Sequence, residues 1–133
     1  SEKVDLTGVN VLLAEDNELN AEIAAVQLEE FEMNVERAVD GKNAVEVFRN
    51  HPKGTFDVIL MDVQMPNMDG YTATQRIRDL DDSRAEIPII AMTANAYDED
   101  RRKAQEAGMD GFLAKPLDVD EMMRLLGKIT KTE

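Results

Sequence analysis

Short apolar runs alternate with longer amphipathic stretches along the whole chain, and that alternation limits the fold more than any other feature. The runs are VNVLLA (9–14), MNVERAV (33–39), FDVILM (56–61), IPIIAM (87–92) and GFLA (111–114). Helical patterns fall at about 18–31, 42–50, 68–80, 97–107 and 118–129. Three of the runs read as continuous apolar strands, as strands buried on both faces of a parallel sheet must. Strands alternating with helices of this length make βα units, and right-handed crossovers place helices on both sides of the sheet. With 133 residues the chain has the size of one domain and can bury a core without staples. The expectation is a single doubly wound α/β domain over 1–133, with its core at about 8–130.

Composition narrows the chemistry. The chain has no cysteine, which excludes disulfides and thiolate metal sites. It carries 15 basic and 28 acidic residues, a net charge of -13. A nucleic acid partner is disfavoured, because binding phosphates needs Lys and Arg. A cation or a basic partner surface fits better. No apolar run approaches the roughly 18 residues of a membrane helix, so no direct membrane contact is expected. The start, SEKVDLTG, is polar, lacks the shape of a signal peptide and reads as the edge of a piece cut from a longer protein.

In open α/β sheets, ligands bind outside the carboxyl ends of the strands. The residues there are Glu15, Asp16 and Asn17, then Asp40 and Gly41, Asp62, Thr93 and Ala94, and Lys115 and Pro116. Each has a plain structural alternative. Asp16 or Asn17 can cap a helix, Asp62 can make an Asx-turn, Thr93 can cap helix 4, and Lys115 can be solvated. Together they say more. Glu15, Asp16 and Asp62 would be like charges in one small site, which is unfavourable without a cation. An oxygen-only cluster selects a hard ion, Mg²⁺ (or Mn²⁺). Thr93 adds a hydroxyl and Lys115 a point charge, which are the parts of a phosphoryl site.

The segments AEDN (14–17), VILMDVQMPNMDG (58–70), IIAMTANA (89–96) and FLAKP (112–116) resemble a response-regulator receiver domain of two-component signalling. The resemblance implies a flavodoxin-like (βα)5 fold with strand order 2-1-3-4-5. It implies that Asp62 is the phosphoacceptor, taking a phosphoryl group from the phosphohistidine of a histidine kinase. It implies that Glu15 and Asp16 form the acidic pair for Mg²⁺, with a further contact from the carbonyl of Gln64. Thr93 and Phe112 match the family's switch positions, Lys115 its lysine, and Gln64 and Asn95 the positions that tune phosphate lifetime. The peptide between Lys115 and Pro116 would be cis. Self-phosphorylation and self-dephosphorylation with Mg²⁺ are implied, as is a cytoplasmic setting. The wording most resembles receivers of hybrid sensor histidine kinases, which pass phosphate to a histidine phosphotransfer domain. A stand-alone regulator and a scaffold that is never phosphorylated are the alternatives. A haloacid-dehalogenase-type phosphatase would need D-x-D after strand 1, and a flavin carrier a Ser/Thr/Gly-rich loop there; AEDNELN is neither.

Two helices carry further expectations. In helix 1, Ile23, Ala24, Leu28 and Phe31 make a stripe suited to the sheet, while Leu19 and Val26 lie on a neighbouring edge that could dock a partner helix. In helix 4 the apolar side is Tyr97, Ala104 and Ala107, too thin to hold the helix strongly, which suits a two-state element beside Thr93. His51, the single histidine, reads as a solvated helix-end residue.

Overall fold

The computed structural model describes residues 4–95 and 97–130; the outer residues of the expected span 1–133, and position 96, lie outside it. The strands are β1 (Asn10–Ala14), β2 (Asn34–Ala38), β3 (Val58–Asp62), β4 (Ile89–Thr93) and β5 (Gly111–Ala114). The helices are α1 (Glu18–Glu29), α2 (Gly41–Arg49), α3 (Gly70–Arg78), α4 (Asp98–Ala107) and α5 (Val119–Thr130). A short 3-10 helix, Ser83–Glu86, precedes β4. The five strands are parallel in the order β2-β1-β3-β4-β5.

The period of a strand explains the two cores. Successive side chains of β1, β3 and β4 point to opposite faces. Leu12, Ala14, Ile59, Met61, Ile89 and Ala91 pack under α2, α3 and α4. Val11, Leu13, Val58, Leu60, Ile90 and Met92 pack under α1 and α5. Both faces are therefore dry, and β3 and β4 are buried from end to end.

Three helices, α1, α2 and α3, start cleanly because polar side chains cap them. Asn17, Asp40 and Asp69 accept the backbone N–H of Asn20, Asn43 and Thr72 at 2.9, 2.8 and 2.8 Å. The chain thus turns from strand to helix within a few residues, right at the carboxyl edge of the sheet.

Several expectations change. β3 and β4 run one residue further than their apolar runs, so Asp62 and Thr93 are the last strand residues rather than loop residues. The stripe assigned to α1 is corrected. Ala21, Ala24 and Leu28 face the sheet, while Ile23 and Phe31 are 51% and 36% exposed. α1 seats Ala21, Ala24 and Leu28 against the strands and turns Leu19, Ile23 and Val26 outward. In α4, Ala104 and Ala107 are buried but Tyr97 is 70% exposed, so the stripe is thinner still. His51 is half-buried rather than solvated: its ring meets Phe56 edge-on at 5.7 Å, and its Nδ1 lies 2.6 Å from the carbonyl of Val47.

Candidate functional site

Glu15, Asp62, Thr93 and Lys115 come together at the carboxyl edge, from four different strand ends. Pairing fixes their spacing. Ala14 lies opposite Met61 and Asp62 opposite Met92, while Thr93 lies opposite Ala114. The residues just past each pair therefore share one edge.

Lys115 is the centre of the arrangement. Its Nζ donates to Glu15 Oε1 at 2.8 Å and to Asp62 Oδ2 at 3.0 Å. Glu15 and Asp62 are only 3% and 4% exposed. Asp16 is exposed, yet its carboxylate belongs to the same cluster: oxygens of Glu15, Asp16 and Asp62 all lie within 4.8 Å of one another. These are oxygen donors without His or Cys, so the set fits a hard cation such as Mg²⁺.

The electrostatics follow from burial. Removal from water pushes the Asp62 carboxyl up to about 6, against the hydrogen bonds from Lys115 and the backbone N–H of Gln64; the nearby Glu15 charge adds to the rise. For Lys115, burial alone acts downward. The bonds to Glu15 and Asp62 outweigh it and hold the ammonium above its ordinary range. The site therefore keeps a fixed positive charge beside a carboxylate that is uncomfortable as an anion.

The remaining site candidates take varied positions. Thr93 is buried, and its hydroxyl donates to the Asn95 carbonyl and accepts the Asn95 N–H, both at 3.1 Å. It does not cap α4, whose leading residue Tyr97 makes no side-chain cap. Gln64 and Asn95 are exposed and line an open cleft of about 500 Å³ with Thr93, Pro66 and Lys103. Phe112 is half-buried on β5, with the Arg101 guanidinium of α4 4.7 Å from its ring centre. The Lys115-Pro116 peptide is cis. Leu19 and Val26 are 63% and 50% exposed on α1; Leu19 is in its first turn, four residues beyond Glu15.

The loop that carries Gln64 is held from two sides. Asn67, at φ 67, donates its amide to Asp40 at 2.7 Å, and the Gly70 N–H bonds the Val63 carbonyl at 3.1 Å. One participant was not singled out from the sequence. Arg37 of β2 donates to the carbonyls of Glu15 and Asp16 at 3.0 and 3.1 Å. Nothing near it in the chain signals this, because the contact spans more than twenty residues and depends on β2 lying beside β1.

A doubly wound sheet in the order β2-β1-β3-β4-β5, with an acid cluster and a lysine at its carboxyl edge, defines a class by its architecture, the flavodoxin-like domains. The Response regulator receiver domain family matches residues 11–127, and the chain belongs to that family. Among curated proteins it is 37% identical to the hybrid signal transduction protein dokA of Dictyostelium discoideum, over 92% of this chain and 7% of that protein. Such relatives, several of them histidine kinases, are much longer: the chain spans between 7% and 14% of their length. Among solved structures it resembles the receiver domain of the sensor histidine kinase PA1611 of Pseudomonas aeruginosa, with 36% identity and a TM-score of 0.84 over 95% of this chain and all of that one. That structure has a magnesium ion coordinated in its active site cleft. A complex of the histidine phosphotransfer protein Ypd1 with the receiver domain of Ssk1, from Saccharomyces cerevisiae, matches at 28% identity and a TM-score of 0.83, covering 94% of this chain and 90% of that one.

Proposed function

We propose that this receiver domain takes a phosphoryl group from a phosphohistidine onto Asp62. The bridge from Lys115 to both Glu15 and Asp62, beside Asp16 and Thr93, is the observation that carries the reading. A carboxylate oxygen of Asp62 attacks phosphorus, an O–P bond forms, and the N–P bond to the donor imidazole breaks. Lys115 places its charge where the transferred oxygens gather negative charge. Asp16, Asp62 and the Gln64 carbonyl, with Glu15 beside them, would hold Mg²⁺ or Mn²⁺. When bound, the ion neutralises phosphoryl oxygens and the crowded carboxylates. Gln64 and Asn95 stand at the open cleft, where an attacking water would enter, and are assigned to tuning the lifetime of the phosphate. The decisive experiment is incubation with acetyl phosphate and Mg²⁺. A hydroxylamine-labile label appears on the protein; a chain that stays unlabelled is an interaction scaffold instead.

Relay to a histidine phosphotransfer domain is the second step of the reading. Leu19 and Val26, with Ile23 between them, put three large apolar side chains in solvent along α1, beginning next to the acid loop. Isolated apolar side chains are ordinary on a surface, but a row at helical spacing suits a partner helix. The relative seen with a phosphotransfer protein supports that class of partner. Leu19→Glu slows transfer to a phosphotransfer domain about tenfold, the size expected of an interface anchor, and leaves labelling by acetyl phosphate unchanged. Equal transfer rates would remove α1 as the docking face.

The phosphoryl group also has a route to the surface. Among the described residues the Thr93 hydroxyl bonds its own loop at Asn95, so it can turn to a phosphoryl oxygen at the cost of local bonds. Phe112 then moves inward and α4, held by two buried alanines, shifts. Hydrogen exchange with and without beryllofluoride shows its largest change in α4; uniform protection there would leave a rigid relay. The reading places the domain on the cytoplasmic side, and no helix among the described residues is long and apolar enough to cross a membrane.

A further inference from the structure

The side chain of Arg37 leaves the edge strand β2 and crosses the end of β1. Its Nε donates to the Glu15 carbonyl at 3.0 Å and its Nη2 to the Asp16 carbonyl at 3.1 Å. These are the backbone groups of the two acids, at the point where the chain leaves the sheet and before α1 begins at Glu18. The Glu15 N–H still bonds the Ala38 carbonyl at 3.1 Å, and the Asn17 N–H bonds Glu15 Oε2 at 3.1 Å. Arg37 spans the gap between those two anchors.

We propose that Arg37 is a positioning residue for the cation site, its fork fixing the backbone of Glu15 and Asp16 so that their carboxylates converge with Asp62. The proposal rests on reading those three acids as the Mg²⁺ site. Three like charges within 4.8 Å repel, and a free loop would relieve the repulsion by carrying the already exposed Asp16 carboxylate away from Glu15 and Asp62. Pinning two successive carbonyls removes that escape before any ion arrives, so binding need not order the loop. Arginine suits the task because its donors leave a rigid plane in fixed directions, whereas a lysine ammonium is one point on a flexible stem.

Charge and geometry act in opposite directions here, which makes the proposal testable. The guanidinium charge behind the acids weakens their pull on a cation, so its loss alone would tighten Mg²⁺ binding. Loss of the pin loosens it. Calorimetric titration of Mg²⁺ into the full chain distinguishes these. Arg37→Gln and Arg37→Lys both bind Mg²⁺ about tenfold more weakly than wild type, as loss of a residue supporting the ligands does elsewhere. Mg²⁺ also raises the melting temperature of both variants less than that of wild type. Tighter binding by Arg37→Gln, or wild-type binding by Arg37→Lys, would make the role one of charge and overturn the proposal. Variants that melt earlier without metal but bind Mg²⁺ as wild type does would make Arg37 merely structural, and equally overturn it. If wild type takes up no Mg²⁺, the reading of the site fails together with the proposal. Wild-type uptake with unchanged variants removes the proposal alone.

Discussion

Asp62→Asn takes up no label from acetyl phosphate, and without metal it resists unfolding better than the wild-type chain at neutral pH. The first effect is chemical. A carboxamide lacks the anionic oxygen that must attack phosphorus, so the label falls to background. The second is electrostatic. The folded protein holds the Asp62 proton up to about pH 6, against 3.8 for a free side chain, because the carboxyl is buried. A folded value above the unfolded one means that the folded state binds the proton more tightly. That contribution to stability is complete below 3.8 and is lost as pH rises through about 6. Near pH 7.5 the ionised carboxylate thus costs on the order of 2–3 kcal/mol relative to its neutral form. Asn is neutral at every pH and avoids that cost, although it loses part of the bond from Lys115. Urea unfolding in chelator measures the gap. It narrows to about half near pH 5, where much of the wild-type Asp62 is protonated, and it narrows on adding Mg²⁺, which favours the ionised cluster. A variant no more stable than wild type near pH 7.5, or a gap indifferent to acid, would contradict the burial argument. Label on Asp62→Asn equal to wild type would move the acceptor elsewhere.

What could be read in the chain differs in kind from what could not. Three of the strands were legible because burial on both faces forces uninterrupted apolar runs, as at Val58 to Met61. The strand-end residues were legible because the topology gathers them: Asp62, Thr93 and Lys115 lie far apart in sequence yet meet wherever five parallel strands share an edge. The inner face of α1 was not legible. Apolarity marks what a residue can do, not where the helix axis lies; Ala21 and Ala24 fit against the strands, and Ile23 was left outside. The 3-10 turn at Ser83–Glu86 is four residues, three of them polar, too short to show a period. Arg37 was invisible for a different reason. Its role depends on where two carbonyls just past the neighbouring strand come to rest, and a single side chain in MNVERAV carries no trace of that.

Gly70→Ala lowers labelling by acetyl phosphate about a hundredfold, although residue 70 contributes no group to the chemistry. α3 starts so close beneath the end of β3 that a Cβ here would overlap the Asp62 carbonyl oxygen and stand 3.0 Å from its carbon. No C···O contact survives such an overlap, and neither partner is a flexible side chain. The backbones must part by about an ångström, the scale of misplacement that costs about 100-fold in a positioned reaction. The movement reaches the site at once. The Gly70 N–H bonds the Val63 carbonyl at 3.1 Å, so shifting α3 drags the stretch from Asp62 to Gln64, and Asp62 with it leaves Lys115. Overpacking also destabilises the fold by about 1–3 kcal/mol, so a control is needed. Gly54 sits at φ +94 in the turn before β3, at the opposite edge of the sheet, and a Cβ added there would meet nothing within 4 Å. Gly54→Ala strains only its own backbone, by about 1–2 kcal/mol. It should unfold earlier yet label at the wild-type rate. If Gly70→Ala labels as fast as Gly54→Ala, then the packing of α3 under β3 does not set the position of Asp62.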